Sequence, residues 1–423
     1  METKEQAGYA ELIRGNANFR RLWTGNLVSL LGDWFNTIAL YTLVLQLTAT
    51  AGADESGSPL ALAGVFVVKM LPWALASPIA GLIVDRVNRR RLMIGTDIAR
   101  AVVVLGFLVI DEPSELPALY ALIALQVIFG AAFQPAKSAS IPNIVTGREL
   151  LTANALSAAT WSVMLAVGAA AGGFATEWLG VRAVFLIDSL TYLVSAWFVY
   201  RTSIPQNTEP VRKDVSLLKA AFGEILDGWT HLRTEPRIAR IAWAKATWAF
   251  AGGGLVFMLA LLGSQVTGSA LAAGIGVLFM ARGIGTGIGP VVARASFKDE
   301  RRWPIVLGAC VAFSGVCYGI VSYVPWISWS QAPAYLLLLI GLVVLAHASS
   351  GANWVLSAVL LQKRTSDRYR GRVFATEWFL VMICNSFSTL AAGLLLEFRI
   401  LDLRTGFAVF ALAQFTCGVL WML

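Results

Sequence analysis

The sequence predicts an all-α membrane protein, with twelve transmembrane helices in two six-helix bundles. Three observations predict it. The 423 residues are 57% hydrophobic and only 14% charged, whereas soluble domains carry about 45–50% apolar and about 25% charged residues. Twelve stretches of mostly apolar residues recur along the chain, each near the ~20 residues that cross a bilayer. A long polar segment divides these stretches six and six. The composition excludes a water-soluble enzyme, a disordered chain and a collagen-like fibre.

The elements follow in order. The first residues are polar and carry Lys4, Arg14, Arg20 and Arg21, with no short apolar core and cleavage site, so no cleavable signal peptide is expected. Residues 9–23 have amphipathic character suited to a membrane surface. Span one is 25–48 and holds Asp33; span two, 59–84, holds Lys69 and is followed by a basic run. Span three, 91–110, carries Asp97 and Arg100 at i, i+3 spacing on one helix side. Span four is 117–136, span five 154–177 and span six 181–200. Residues 201–239 are polar, contain Pro205, Pro210 and Pro236, and include one short amphipathic candidate at 216–232. The expected organisation is a first bundle at 1–200, a linker at 201–239 and a second bundle at 240–423. Spans seven to twelve are 240–263, 270–293, 303–323, 333–361, 372–396 and 404–423, the long tenth being tilted or reaching past the membrane. The Gly-rich second span ending in bases recurs weakly at 283–302, a repeat character expected of secondary transporters.

Charge sets the orientation. With the N-terminus inside, the inner connections hold Arg86, Arg89, Arg90, Arg91, Lys137, Arg148, Arg201, Arg212, Lys213, Lys298, Lys363 and Arg370, among others. The outer connections hold Asp54, Glu55, Asp111, Glu112 and Glu115, with only Arg182, Arg399 and Arg404 as bases. This is the positive-inside pattern, with both termini cytoplasmic. It accounts for the net charge of +8 through lipid rather than nucleic acid. The four cysteines, Cys310, Cys317, Cys384 and Cys417, lie in apolar stretches without zinc or disulfide spacing. No P-loop, zinc-protease or nucleophile-elbow motif is present, so no cofactor, metal or catalytic residue is expected. The run Gly283-Ile-Gly285-Thr-Gly287-Ile-Gly289 reads as a helix-packing surface.

The loop after span two, Gly81-Leu-Ile-Val-Asp85-Arg86-Val-Asn88-Arg89-Arg90-Arg91, closely resembles the G-x-x-x-D-R/K-x-G-R/K-R-R/K motif of the major facilitator superfamily. Asn88 stands where that family usually has Gly, and Asn tolerates positive φ. The segments Asn18-Phe-Arg-Arg-Leu-Trp23, Ser29-Leu-Leu-Gly-Asp33-Trp34, Phe133-Gln-Pro-Ala136, Ala153-Asn-Ala-Leu156, Ala281-Arg-Gly-Ile-Gly285 and Gly371-Arg-Val-Phe-Ala375 resemble the branch of macrolide efflux pumps, the enterobactin exporter and, more distantly, lysophospholipid transporters. Span five reads Gly168-Ala-Ala-Ala-Gly172-Gly173 and lacks the Gly-Pro element frequent in drug–proton antiporters. The resemblance implies the major facilitator fold and efflux by alternating access. It also implies that Asp85 approaches the N-terminus of span eleven near Gly371, where a helix dipole favours a carboxylate, and that Arg372 joins it by a bidentate pair.

An ionisable group at mid-bilayer is costly and marks function. Asp33 is the foremost candidate for proton coupling or for recognising a cation, with Trp34, Asn36 and Lys69 beside it in span one or facing it from span two. A structural ion pair is the plainer alternative, and Lys69 can snorkel. Lys245 and Arg282 either bind an anion or neutralise an acid. Glu377 is a second proton candidate or a gate residue, and His347 a proton acceptor or a packing residue. Asp97 and Arg100 are assigned to an inner gate with Gly81, Asp85, Arg86, Arg89, Arg90, Gly371 and Arg372. Glu177, Asp188, Glu397 and Arg399 are placed near helix ends, in solvated or structural roles. The expected function is proton-coupled antiport of an amphiphilic small molecule, a drug or siderophore type, across a bacterial inner membrane. Protons, membrane lipid and that substrate are the partners, nucleic acid is not, and a monomer is expected. The alternatives are a lysophospholipid transporter without proton antiport and a transport-inactive sensor or assembly partner. A water-filled ion channel is a weaker rival.

Overall fold

A computed structural model of the chain describes residues 7–50, 57–206, 217–266, 270–324 and 333–423. Lys4, Asp54, Glu55, Pro210, Arg212, Lys213 and the side chain of Asp85 lie outside the described residues. The helices are α1 Tyr9–Gly15, α2 Ala17–Thr50, α3 Pro59–Arg86, α4 Arg89–Leu105, α5 Leu116–Ile144, α6 Leu150–Leu179, α7 Val181–Tyr200, α8 Leu217–Thr234, α9 Pro236–Val266, α10 Leu271–Ser296, α11 Trp303–Val321, α12 Pro333–Arg364, α13 Asp367–Glu397 and α14 Leu403–Met422. Among the described residues, twelve helices are long and apolar enough to cross a membrane. They are α2–α7 and α9–α14, which form the two six-helix bundles.

The first helices show why hydropathy misplaces some ends. Span one begins eight residues before the apolar run, at Ala17. Asn16 breaks the chain there: its Oδ1 accepts from the Phe19 amide at 3.0 Å, and its Nδ2 donates to the Ile144 carbonyl at 2.8 Å. A side-chain acceptor at this position starts a helix. The amphipathic stretch 9–23 is thereby split between α1 and the first two turns of α2. Leu12, Phe19 and Leu22 bury against Val84, Met93 and Phe133. Span eleven likewise starts at Asp367, not near Gly371, with Ser366 in extended conformation before it.

We call the face where α2 begins the basic face. Towards the opposite face the bundles touch along two seams, α6 with α10 and α3 with α13. A Cβ added at Gly276 would stand 2.6 Å from the Ala169 carbonyl oxygen and 2.9 Å from the Gly173 Cα. Only glycine permits that crossing. The glycine run in α10 serves two partners: Gly283 faces Ala166 of α6, while Gly285 and Gly289 face Val344 and Ala348 of α12. Tyr41 and Phe66, stacked at 4.6 Å in the first bundle, meet Phe279 and Phe257 of the second at 5.9 and 5.8 Å between ring centroids.

Candidate transport site

Each bundle holds a set of buried charges. In the first bundle, the Tyr192 hydroxyl donates to Asp33 Oδ1, and Gln126 Nε2 donates to the Tyr192 oxygen at 3.0 Å. Lys69 Nζ donates to Thr37 Oγ1 at 2.6 Å, and lies within electrostatic range of Asp33 and Asp188. Arg100 pairs with Asp97 and lies over the rings of Tyr192, at 4.3 Å, and Phe133, at 4.8 Å. It also interacts with Asp33. Asp188 is fully buried beside Gly32, accepts from Thr191 Oγ1 at 3.3 Å, and leaves its Oδ2 without a hydrogen-bond partner. The group therefore holds three carboxyls, Asp33, Asp97 and Asp188, against two cations, Lys69 and Arg100. Asp33 is the partly exposed carboxyl; the other two are sealed.

The second bundle holds a different balance. Lys245 Nζ lies 3.0 Å from Glu377 Oε1, both buried, and 4.9 Å from the centre of the Trp354 ring. Arg282 lies over Phe279 at 5.6 Å and interacts with Tyr41, Tyr318 and His347. Tyr318 and His347 are hydrogen-bonded at 2.7 Å, so the histidine is a satisfied interior group. Among the described residues no carboxylate pairs with Arg282, and its Nε is buried without a partner.

Between the bundles the two faces differ. At the basic face a cavity of about 360 Å³ opens between α3, α5, α8 and α13, lined by Ser77, Gly81, Pro135, Ile225, Ala375 and Trp378. At the opposite face two carboxylates, one from each bundle, bind helix N-termini of the other bundle. Glu397 Oε2 accepts from Ser58 Oγ at 2.7 Å and from the Leu60 amide at 3.0 Å. Glu177 Oε2 accepts from the Ala272 amide at 3.1 Å. A cavity thus opens between the bundles at the basic face, while carboxylate contacts join them at the other.

Twelve spans in two bundles, a charged loop after the second span and a site between the halves describe a transporter architecture. The Major Facilitator Superfamily sequence profile matches residues 22–376. The chain belongs to the Major Facilitator Superfamily. Among its relatives, a candidate bacilysin exporter of Bacillus subtilis, BacE, is 25% identical over 335 residues, covering 78% of this chain and 79% of that one. Macrolide efflux protein A of Streptococcus pyogenes is 27% identical over 217 residues, 51% of each chain. The crystal structure of a D-xylose–proton symporter superposes with a TM-score of 0.72 at 14% identity, covering 95% of this chain and 96% of that one. This superfamily member is thus a multi-pass membrane transporter with efflux-type relatives.

Several expectations change. Asp97 and Arg100 form a buried pair with the Asp33 group, whereas Arg90 donates to the Val199 and Tyr200 carbonyls at the end of α7. Arg89 binds the Ala139 carbonyl at 2.8 Å, and Arg86 and Gly81 lie on the last turns of α3, Gly81 at the cavity wall. Gly371 does not start span eleven, because residues 367–370 are already helical, and an added Cβ there meets nothing within 4 Å. Arg372 pairs with Asp227 of α8 at 3.2 Å. Asn88 has φ −66°, so the loop needs no positive φ; its Oδ1 instead caps α4 by accepting from the Arg91 amide at 3.0 Å. Asp188 is no helix-end group but lies a third of the way along α7, and the same cost argument that singled out Asp33 applies to it. Tyr192 carries no charge and gave no sequence signal. Trp34 packs toward Phe279 at 6.4 Å, and Asn36 is buried with both amide atoms unpartnered.

Proposed function

We propose that this transporter exports an amphiphilic small molecule in exchange for protons, by alternating access. The observation that carries the reading is the charge balance around Asp33: three carboxyls against two cations. Fully ionised, the group holds one excess negative charge inside the membrane, at high cost. One proton, taken up through Asp33 and shared with the buried carboxyls, neutralises it. The positive-inside pattern supports a cytoplasmic basic face and a bacterial inner membrane, with both termini cytoplasmic. The cavity on that face then loads substrate. Rocking of the bundles closes it and releases the Glu177 and Glu397 contacts, after which Asp33 is protonated from outside. The linker at 201–239 couples the bundles, and α8 covers one edge of the cavity. A monomer suffices for this cycle.

The test uses everted vesicles energised by a pH gradient and a panel of amphiphilic antibiotics, siderophores and lysolipids. A compound-dependent proton leak that vanishes in Asp33→Asn is expected. A leak that persists in Asp33→Asn overturns the role of Asp33. A second reading, lipid transport without protons, is favoured by an apolar cavity of about 430 Å³ between α3, α5 and α13, lined by Gly64, Val67, Val68, Tyr120 and Leu390. Movement of labelled lysolipid with no leak from any compound would put that reading first.

A further inference from the structure

The two bundles hold opposite unpaired charge beside their interface, where Trp34 meets Phe279 and Tyr41 lies near Arg282. The Asp33 group has one carboxyl too many, while Arg282 has none to meet it. An unpaired guanidinium in the bilayer interior is costly, and such a residue normally faces a partner or a pathway. Arg282 is only partly covered, and Tyr41 from the first bundle and Tyr318 from the second flank it with hydroxyls. A guanidinium with neighbouring hydroxyls suits a carboxylate or phosphate. The two charges lie within the reach of one small molecule. Tyr41, beside Arg282, is eight residues from Asp33 on α2, a rise of about 12 Å, and Trp34 and Phe279 fill the aromatic wall between them.

We infer that the substrate is a zwitterionic amphiphile, whose anionic group docks on Arg282 while its cationic group takes the place of the proton at Asp33. The second half rests on the exchange reading proposed above; the first half does not. The pairing also explains why exchange would be obligatory. A proton and a substrate cation neutralise the same excess charge, so the Asp33 group accommodates one at a time. The groups facing Asp33 are Lys69 from α3, Arg100 and Asp97 from α4, and Asp188 and Tyr192 from α7. Gln126 of α5 reaches it only through Tyr192. The α6 side offers Gly168 and Gly172, without charge.

The experiment measures binding of four matched probes to the purified full-length chain by calorimetry. They are 9-aminononanoic acid, its methyl ester, its N-acetyl derivative and the N-acetyl methyl ester, which are zwitterionic, cationic, anionic and neutral and carry their end groups on the two ends of one extended apolar chain. Lysophosphatidylcholine, a zwitterionic lipid, is the fifth. The zwitterion should bind about 10- to 100-fold more tightly than the neutral probe, as expected for charge-assisted bonds. Arg282→Gln should erase the preference for a carboxylate and leave the cationic ester unaffected, with Arg282→Lys retaining part of it. Asp33→Asn should erase the preference for an ammonium and leave the N-acetyl acid unaffected. Lysolipid binding with the same Arg282 dependence keeps the charge pair and assigns it to a lipid source. Equal binding of neutral and charged probes to the wild-type chain overturns the inference even if no variant folds, as does failure of all five probes to bind. Charge-selective binding without proton movement in proteoliposomes removes the exchange reading but leaves the Arg282 site. Proton movement driven by neutral compounds does the reverse.

Discussion

Asp97 and Arg100 illustrate how a buried charge separates folding from function. The pair is sealed within the first bundle and backed by Tyr192 and Phe133. Removing one partner of a buried pair strands the other and costs about 3–5 kcal/mol, whereas removing both is far cheaper. Arg100→Gln should therefore lower the thermal unfolding midpoint strongly, because it raises the carboxyl excess from one to two, and Asp97→Asn/Arg100→Gln should recover most of the loss. An equal loss in the single and double variants would refute the pairing. Asp188 tests the other side of the balance. Asp188→Asn removes the excess charge without a proton, so the chain should fold at least as stably as wild type yet show no compound-dependent proton leak. A normal leak from this variant would show that the excess carboxyl is not what draws the proton. Asp33 was legible from the cost of a charge in lipid, whereas Asp188 was misplaced at a helix end although the same cost applies to it. The partners Tyr192, for Asp33, and Glu377, for Lys245, were not legible, since contacts between distant spans leave no local pattern.

Helix ends carry the gate. The free amides at a helix N-terminus attract a carboxylate, by about 0.3–1 kcal/mol at exposed sites and up to about 2 kcal/mol when partly buried. Glu397 occupies the start of α3 and Glu177 the start of α10, so each bundle caps one helix of the other. Both contacts must break when this face opens. Glu177→Gln/Glu397→Gln should shift the population toward the open form by roughly fivefold per kcal/mol lost. A cysteine at Ala63, buried against Gly393, reads this directly in a background without the four native cysteines. It should be protected in the parent and alkylated faster in the double variant; unchanged protection would mean the caps do not hold the seam. An ordinary cap behaves differently. Asp402 accepts from the Thr405 amide at 2.8 Å, and its hydrogen bonds to Thr405 hold its carboxyl below the usual range. Its contribution is present above the unfolded carboxylate pKa and is lost as pH falls through the folded value. Asp402→Ala should cost about 1 kcal/mol at neutral pH, and the gap from wild type in unfolding midpoint should close in acid. A gap that persists in acid would assign the cost to packing.

At the scale of the molecule, hydropathy located all twelve spans because lipid demands long apolar helices. It could not locate ends that run beyond lipid, as at Ala17 and Asp367, where polar residues continue the helix. The glycines of α10 were legible as packing residues, but not which neighbour each one meets. That difference has a consequence for the conformational balance. Gly276 crosses α6 at backbone contact, while a Cβ at Gly287 would meet Ser162 at an ordinary 3.5 Å. The same change, Gly to Ala, should therefore act at one site on this helix and not at the other. Gly276→Ala must push α10 from α6 at the face opposite the cavity, and a rocking pair of bundles that parts at one face closes at the other. A cysteine at Ser77, on the cavity wall, should be alkylated from the basic face in the parent, more slowly in Gly276→Ala, and at the parent rate in Gly287→Ala. Slowing in Gly287→Ala as well would trace the effect to helix stiffness, and no slowing in either would separate the seam from the cavity and break the rocking account.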